Sequence, residues 1–249
     1  MLKFIDARCQ LGLPPIVKEG TPYTPEEILE VMDRCHIEKA IVHHNAAIRS
    51  SLAFGNEDLV RITEGEPRFL RQWCVIPSHL GEFPEPVELA KQMKENHVTS
   101  LRLSPKTNGY SLRPYASGKL MDMVAQCHIP IFIDLETEID PAGLYTLCQD
   151  YPAVNFVFCK PAYGMNRYLA GIFETCPNCY LGAGNYLVHG GIKLHCRYYG
   201  AEKLIFDTGL PDSSASSAVS LICYADISRE EKELIAHGNI QRLLDAVTL

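Results

Sequence analysis

No run of 18 apolar residues occurs in the chain, which argues against a membrane-spanning helix. No long apolar segment follows Lys3, so a secretory leader is not expected. There is no basic run, and a net charge of −7 argues against nucleic acid as the main partner. No Gly-x-Gly-x-x-Gly turn follows any apolar segment, which removes the usual fingerprint of a dinucleotide-binding open sheet. No low-complexity tract, linker or shift in composition divides the chain. The ten cysteines do not frame a small loop-rich fold; scattered through apolar segments, they read as reduced thiols of a cytoplasmic protein.

What is present suits one large globular domain over residues 1–249. Hydrophobic residues make up 47% of the chain and charged residues 21%, enough to bury a real core. Strand-length apolar runs alternate with helical patterns throughout, the mark of a parallel sheet covered by helices. The predicted strands are Phe4–Arg8, Ala40–His43, Gln72–Ile76, Ser100–Leu103, Ile131–Leu135, Asn155–Cys159, Cys179–Ala183 and Leu204–Asp207. Helical patterns fall between them at about 24–36, 56–66, 85–97, 117–127, 140–150, 165–175 and 190–198, and after them at 213–225 and 228–246. Thr24-Pro25-Glu26-Glu27 and Ser228-Arg229-Glu230-Glu231 have the form of helix N-termini. Eight strand–helix repeats in this length match a (β/α)₈ TIM barrel.

The opening strand, Phe4-Ile5-Asp6-Ala7-Arg8-Cys9-Gln10-Leu11-Gly12, resembles that of the amidohydrolase-related hydrolases, metal-dependent TIM barrels that begin Asp-x-His-x-His. The resemblance continues in order along the chain. It includes Glu66-Pro67-Arg68-Phe69-Leu70 before the third strand, His128-Ile129-Pro130-Ile131 at the fifth, Tyr151-Pro152-Ala153-Val154-Asn155 before the sixth, Gly200-Ala201-Glu202-Lys203-Leu204 before the eighth, and Gly238-Asn239-Ile240-Gln241-Arg242-Leu243-Leu244 at the close. It implies the barrel fold, a hydrolytic activity and a tendency to form homodimers. The metal positions depart from the pattern. The two histidines of the first strand are Arg8 and Gln10, the histidine ending the fifth is Asp134, the histidine ending the sixth is Cys159, and the aspartate after the eighth is Gly209.

The rewritten positions predict a site without the usual metal at the mouth of the barrel. Arg8, Gln10, Arg102, Lys160 and Tyr163 are the expected binders of a small carboxylated substrate such as a lactone or ester, since guanidinium groups grip carboxylates bidentately. Asp207, Asp134 and His43 are the expected catalytic groups, with His189 as a second proton carrier and Glu136 nearby. His43 and His44 are adjacent, so alternation lets only one of them face the mouth. Two other readings stay open. The barrel is catalytically inactive, with Arg8 and Asp134 merely neutralising each other in a ligand-binding or regulatory protein. Or a divalent metal such as zinc binds relocated ligands among Asp134, Cys159, His43, His189 and Asp207. Lesser features are Cys176-Pro177-Asn178-Cys179, read as two unrelated thiols, Gly182-Ala183-Gly184 as a weak anion nest, and Asp212–Ser217 as a helix start or a lid.

Overall fold

The computed structural model describes residues 2–135 and 137–249, with the side chains of Tyr163 and Asn166 outside that description. Eight parallel strands follow one another around a barrel in sequence order. They are β1 (Phe4–Leu11), β2 (Ile37–His44), β3 (Phe69–Val75), β4 (Val98–Leu103), β5 (Ile131–Asp134), β6 (Phe156–Cys159), β7 (Cys179–Gly182) and β8 (Leu204–Ile205). The last strand is only two residues long, so the chain after it completes the seam. Ala7 N–H donates to Phe206 at 3.0 Å, Gln10 N–H to Leu210 at 2.9 Å, and Gly209 N–H returns to Arg8 at 3.1 Å.

The helices are α1 (Pro25–Cys35), α2 (Asn45–Arg49), α3 (Leu52–Ile62), α4 (Pro86–Glu95), α5 (Pro114–Gln126), α6 (Pro141–Asp150), α7 (Asn166–Thr175), α8 (Gly191–Tyr199), α9 (Ala215–Cys223), α10 (Arg229–Glu233) and α11 (Asn239–Asp245). Complete capping boxes start α1 at Thr24 and α10 at Ser228, as the sequence pattern predicts. Proline opens α1, α4, α5 and α6, where its missing N–H costs nothing. Two expectations change. The five-residue α2 forms where no helical pattern is expected, and the long final helix is interrupted by a π turn at Leu234–Gly238.

Strand alternation sorts the core into two layers. Leu101, Leu103, Ile131, Ile133, Phe156 and Phe158 face the helices. Ile5, Ala7, Ile41, Phe132, Val157, Tyr180 and Ile205 fill the barrel, and Ile240 and Leu243 of α11 close it from below. The Gly-Asn motif has a visible task there, because buried Asn239 donates to the carbonyls of Ala201 and Leu204 at 2.8 Å each.

On β1 the alternation breaks. Asp6 pairs with Ala40 and Cys9 with Val42, so three steps on β1 meet two on β2. This bulge lets Ala7 face the barrel interior while Arg8, its neighbour, also turns inward, and Cys9 and Leu11 return to the outer layer. All ten cysteines are free thiols, including Cys176 and Cys179. No helix among the described residues is long and apolar enough to cross a membrane.

Candidate functional site

Above the apolar filling the barrel interior turns polar and charged. Gln72 of β3 donates to Ser100 of β4 at 3.2 Å and accepts from Arg102 Nε at 2.9 Å. Arg102 Nη1 donates to Asp134 Oδ1 at 2.9 Å. From the other side Arg8 grips the same carboxylate with Nε at 3.2 Å and Nη2 at 3.3 Å. Strands β1, β3, β4 and β5 are thus tied through one buried chain of side chains. Burial alone would raise the Asp134 pKa, but Arg102 and Arg8 outweigh it and hold the group well below the usual carboxylate range. Asp134 is therefore a fixed anion and a weak proton acceptor.

A small cavity of about 60 Å³ lies over this chain. Its walls are Arg8, Gln10, His43, Ile48, Arg49, Arg102, Ser104, Asp134, Thr137, Glu138, Lys160 and Asp212. Of the predicted site residues, Arg8, Gln10, His43, Arg102, Asp134 and Lys160 meet here. Gln10 is held by Asn45 of α2 at 2.6 Å, and Asn45 in turn donates to the Leu13 carbonyl. His43 is pushed well below its ordinary pKa by burial and then by Arg102, so it is neutral. His44 faces away: its Nδ1 caps Ala46 of α2 at 3.2 Å and its Nε2 meets Asp58 at 3.3 Å. Gly12 is required beside it, since a Cβ there would sit 2.2 Å from the imidazole. Both histidines are buried, and only His43 lines the cavity.

Asp207 stands apart from the cavity lining. It is buried, and its Oδ1 accepts from Gly184 N–H at 2.5 Å. Burial raises its pKa more than Arg8 lowers it. The glycines of the predicted anion nest make room for this carboxylate: a Cβ at Gly182 would lie 2.6 Å from it and one at Gly184 would strike the Asp207 carbonyl at 1.9 Å. These glycines thus seat an internal carboxyl group, with Gly184 N–H as its donor. Asp6 is also buried and accepts from Thr208 N–H at 2.8 Å, Thr208 Oγ1 at 2.5 Å and Arg8 N–H at 3.0 Å, with burial lifting its pKa to about 7.

Cys159 is buried and its thiol is pushed well above the ordinary value, which leaves it unreactive. His189 is exposed in the loop before α8 and does not line the cavity. Asp212 does line it, in the segment leading to α9. Glu136 and the Tyr163 side chain lie outside the described residues. Arg49, Ser104, Thr137 and Glu138 were missed from the sequence. Arg49 sits on the unforeseen α2, and the others lie on loops whose approach to the mouth no periodicity announces.

The donor set does not fit a divalent ion. Two guanidinium groups converge on Asp134, and among the described residues no three His, Cys, Asp or Glu side chains gather to hold one. The relocated-metal expectation therefore has no ligand set in the described residues.

No family model and no curated protein matches the chain. Solved structures do match its fold over nearly the whole length. An uncharacterised TIM-barrel protein from Bordetella bronchiseptica is 17% identical, covers 98% of this chain and 99% of its own, and gives a TM-score of 0.77. The 2,6-dihydroxybenzoate decarboxylase from Rhizobium is 13% identical, with coverage of 98% and 99% and a TM-score of 0.76. A structure described as amidohydrolase II is 13% identical, with coverage of 98% and 100% and a TM-score of 0.70. The chain shares the fold of amidohydrolase-type TIM barrels.

Proposed function

We propose that this barrel is a metal-independent hydrolase that binds a small carboxylated lactone or ester in the mouth cavity. The observation that carries the reading is a pair of orphaned nitrogens. Arg102 Nη2 and His43 Nδ1 are buried without a hydrogen-bond partner, and both residues line the cavity. A buried unpaired donor costs about 1–3 kcal/mol, more when charged. An anionic oxygen in the cavity removes that penalty.

In this reading the substrate carboxylate accepts from Arg102 Nη2. Arg8, fixed by Asp134, faces the scissile carbonyl and stabilises the oxyanion that forms there. Neutral His43 takes a proton as water attacks the carbonyl carbon. The tetrahedral intermediate collapses, the alkoxide leaves, and His43 returns the proton to it. A depressed pKa makes His43 a weak base but a strong acid, which favours the second step. Asp134 serves as the anchor of both arginines rather than as the base.

A second reading has its own support. Asp134 in the cavity wall is held by both arginines and Cys159 is inert, which suits a barrel that only binds its carboxylated ligand. One set of measurements separates the two. Metal analysis of the purified protein should find no stoichiometric zinc, manganese or iron, and a near-stoichiometric metal overturns the metal-free reading. Arg102→Met should weaken carboxylate binding roughly 30-fold or more, given about 2–5 kcal/mol for one partner of a buried charge pair. Unchanged binding sinks both readings. In a screen of small carboxylated lactones and esters, His43→Asn should lower turnover roughly 10²-fold or more. Binding without any turnover selects the inert barrel.

A further inference from the structure

A wider cleft, about 740 Å³, lies beside the small cavity, and the two meet at Thr137 and Glu138, which line both. It runs between the segment after β4, the segment after β5 and helix α6. Leu112, Leu135, Ile139, Leu147 and Met165 give it an apolar wall. Leu135 and Leu147 are each only 2% exposed and belong to the main core, and Leu112 and Ile139 pack against it, so the wall is continuous with the core. Glu138 is held in place by the backbone N–H groups of Lys106 and Thr107, at 3.0 Å each, so its carboxylate is turned into that loop. At the far end Arg113 is occupied by Asp150 at 3.1 Å.

Cations and an orphaned guanidinium nitrogen at one end, and a broad cleft with an apolar wall and a charged rim at the other, are complementary to an amphiphilic acid. We propose that the ligand is a monocarboxylic compound with an extended alkyl tail, its head in the Arg8–Arg102 cavity and its tail along the cleft under Leu112, Ile139 and Leu147. This rests on the carboxylate reading of the mouth and adds a length specificity to it. A volume of this size is that of an ordinary small-ligand site, whereas the cavity over Asp134 holds only a head group.

The test is calorimetric titration of the intact protein with straight-chain carboxylates from acetate to decanoate. Each added methylene should tighten binding about three- to fourfold until the cleft is filled, from the usual value for burying a methylene. Thr146→Trp fills the cleft from α6, and Ile139→Asp places a charge in its wall. Both should abolish the gain with length, and Thr146→Trp should do so while leaving acetate binding as it is. Binding that does not change with chain length overturns the cleft assignment and leaves the carboxylate site standing. A length gain that survives both substitutions also overturns it, because the tail then lies elsewhere. If acetate and decanoate bind equally to wild type and to Arg102→Met, the carboxylate site itself is wrong, and this inference falls with it.

Discussion

Two residues apart on β5, Phe132 and Asp134 both point into the barrel, yet opposite forces hold them. Phe132 is fully buried among Ile5, Val157 and Ile205, and its stability is a matter of area and close packing. Asp134 sits where the filling ends, and its stability is a matter of two guanidinium groups that share its one negative charge. The lower half of the barrel asks only for apolar volume. The upper half is a linked set of charges in which removing one member leaves the others uncompensated. A fold can repack the first kind of region freely, but it must rewrite the second as a unit.

The largest expected effects test that contrast. Asp134→Ala should cost about 3–5 kcal/mol, because it leaves two buried arginines facing each other. Phe132→Ala should cost a similar 3–5 kcal/mol through the cavity it opens. Urea denaturation measures both. Added formate or acetate should restore more stability to Asp134→Ala, by supplying the missing anion, than to Phe132→Ala, which keeps Asp134 and gains only what ligand binding gives the wild type. Equal responses to the salt would erase the distinction between the two halves.

A smaller effect is expected where backbone meets carboxylate. Gly184→Ala would push a methyl against the Asp207 carbonyl, and such overpacking costs about 1–3 kcal/mol. A thermal melt unchanged from wild type would show that Asp207 is not seated against β7 as described.

A last comparison concerns pH and sets two buried carboxylates side by side. Asp134 is lowered in the folded state, so its contribution is present above its unfolded pKa and is lost only as pH falls through the lowered folded value. Asp6 is raised from 3.8 to about 7, so the folded chain holds its proton more tightly than the unfolded chain does. Its contribution is full below pH 3.8 and is lost as pH rises towards 7. Stability measured against pH should therefore decline across that window, and Asp6→Asn should flatten the decline without touching the acid side. A slope that persists in Asp6→Asn would assign it to Asp207, the other buried carboxylate raised by burial.

Much of this was readable in the chain. The eight strands and most helices appear within a few residues of their expected places because apolar period and capping residues are local signals. Thr24 and Ser228 announce their helices through interactions three residues long. Asn239 and its neighbours were recognisable as a closing motif, although its bonds to the carbonyls before and within β8 were not. The sequence showed which charges would crowd the mouth but not their pairing. That Asp134 takes both arginines depends on how β1, β4 and β5 are spaced around the barrel. Arg49 and Asn45 were out of reach because α2 is a single short turn with no amphipathic period of its own.

Composition, periodicity and residue order were thus enough to determine a barrel of eight strands, with Arg8, Gln10, Asp134 and Cys159 on three of them, since each of those signals lies within a few neighbouring residues. Which way Arg8 points was decided only by the tertiary structure. Strict alternation from Ile5 and Ala7 would place Cys9 in the barrel and Arg8 among the helices. The extra residue where β1 passes Ala40 and Val42 reverses that order. Strand pairing across the barrel, not the strand itself, turns the guanidinium towards Asp134.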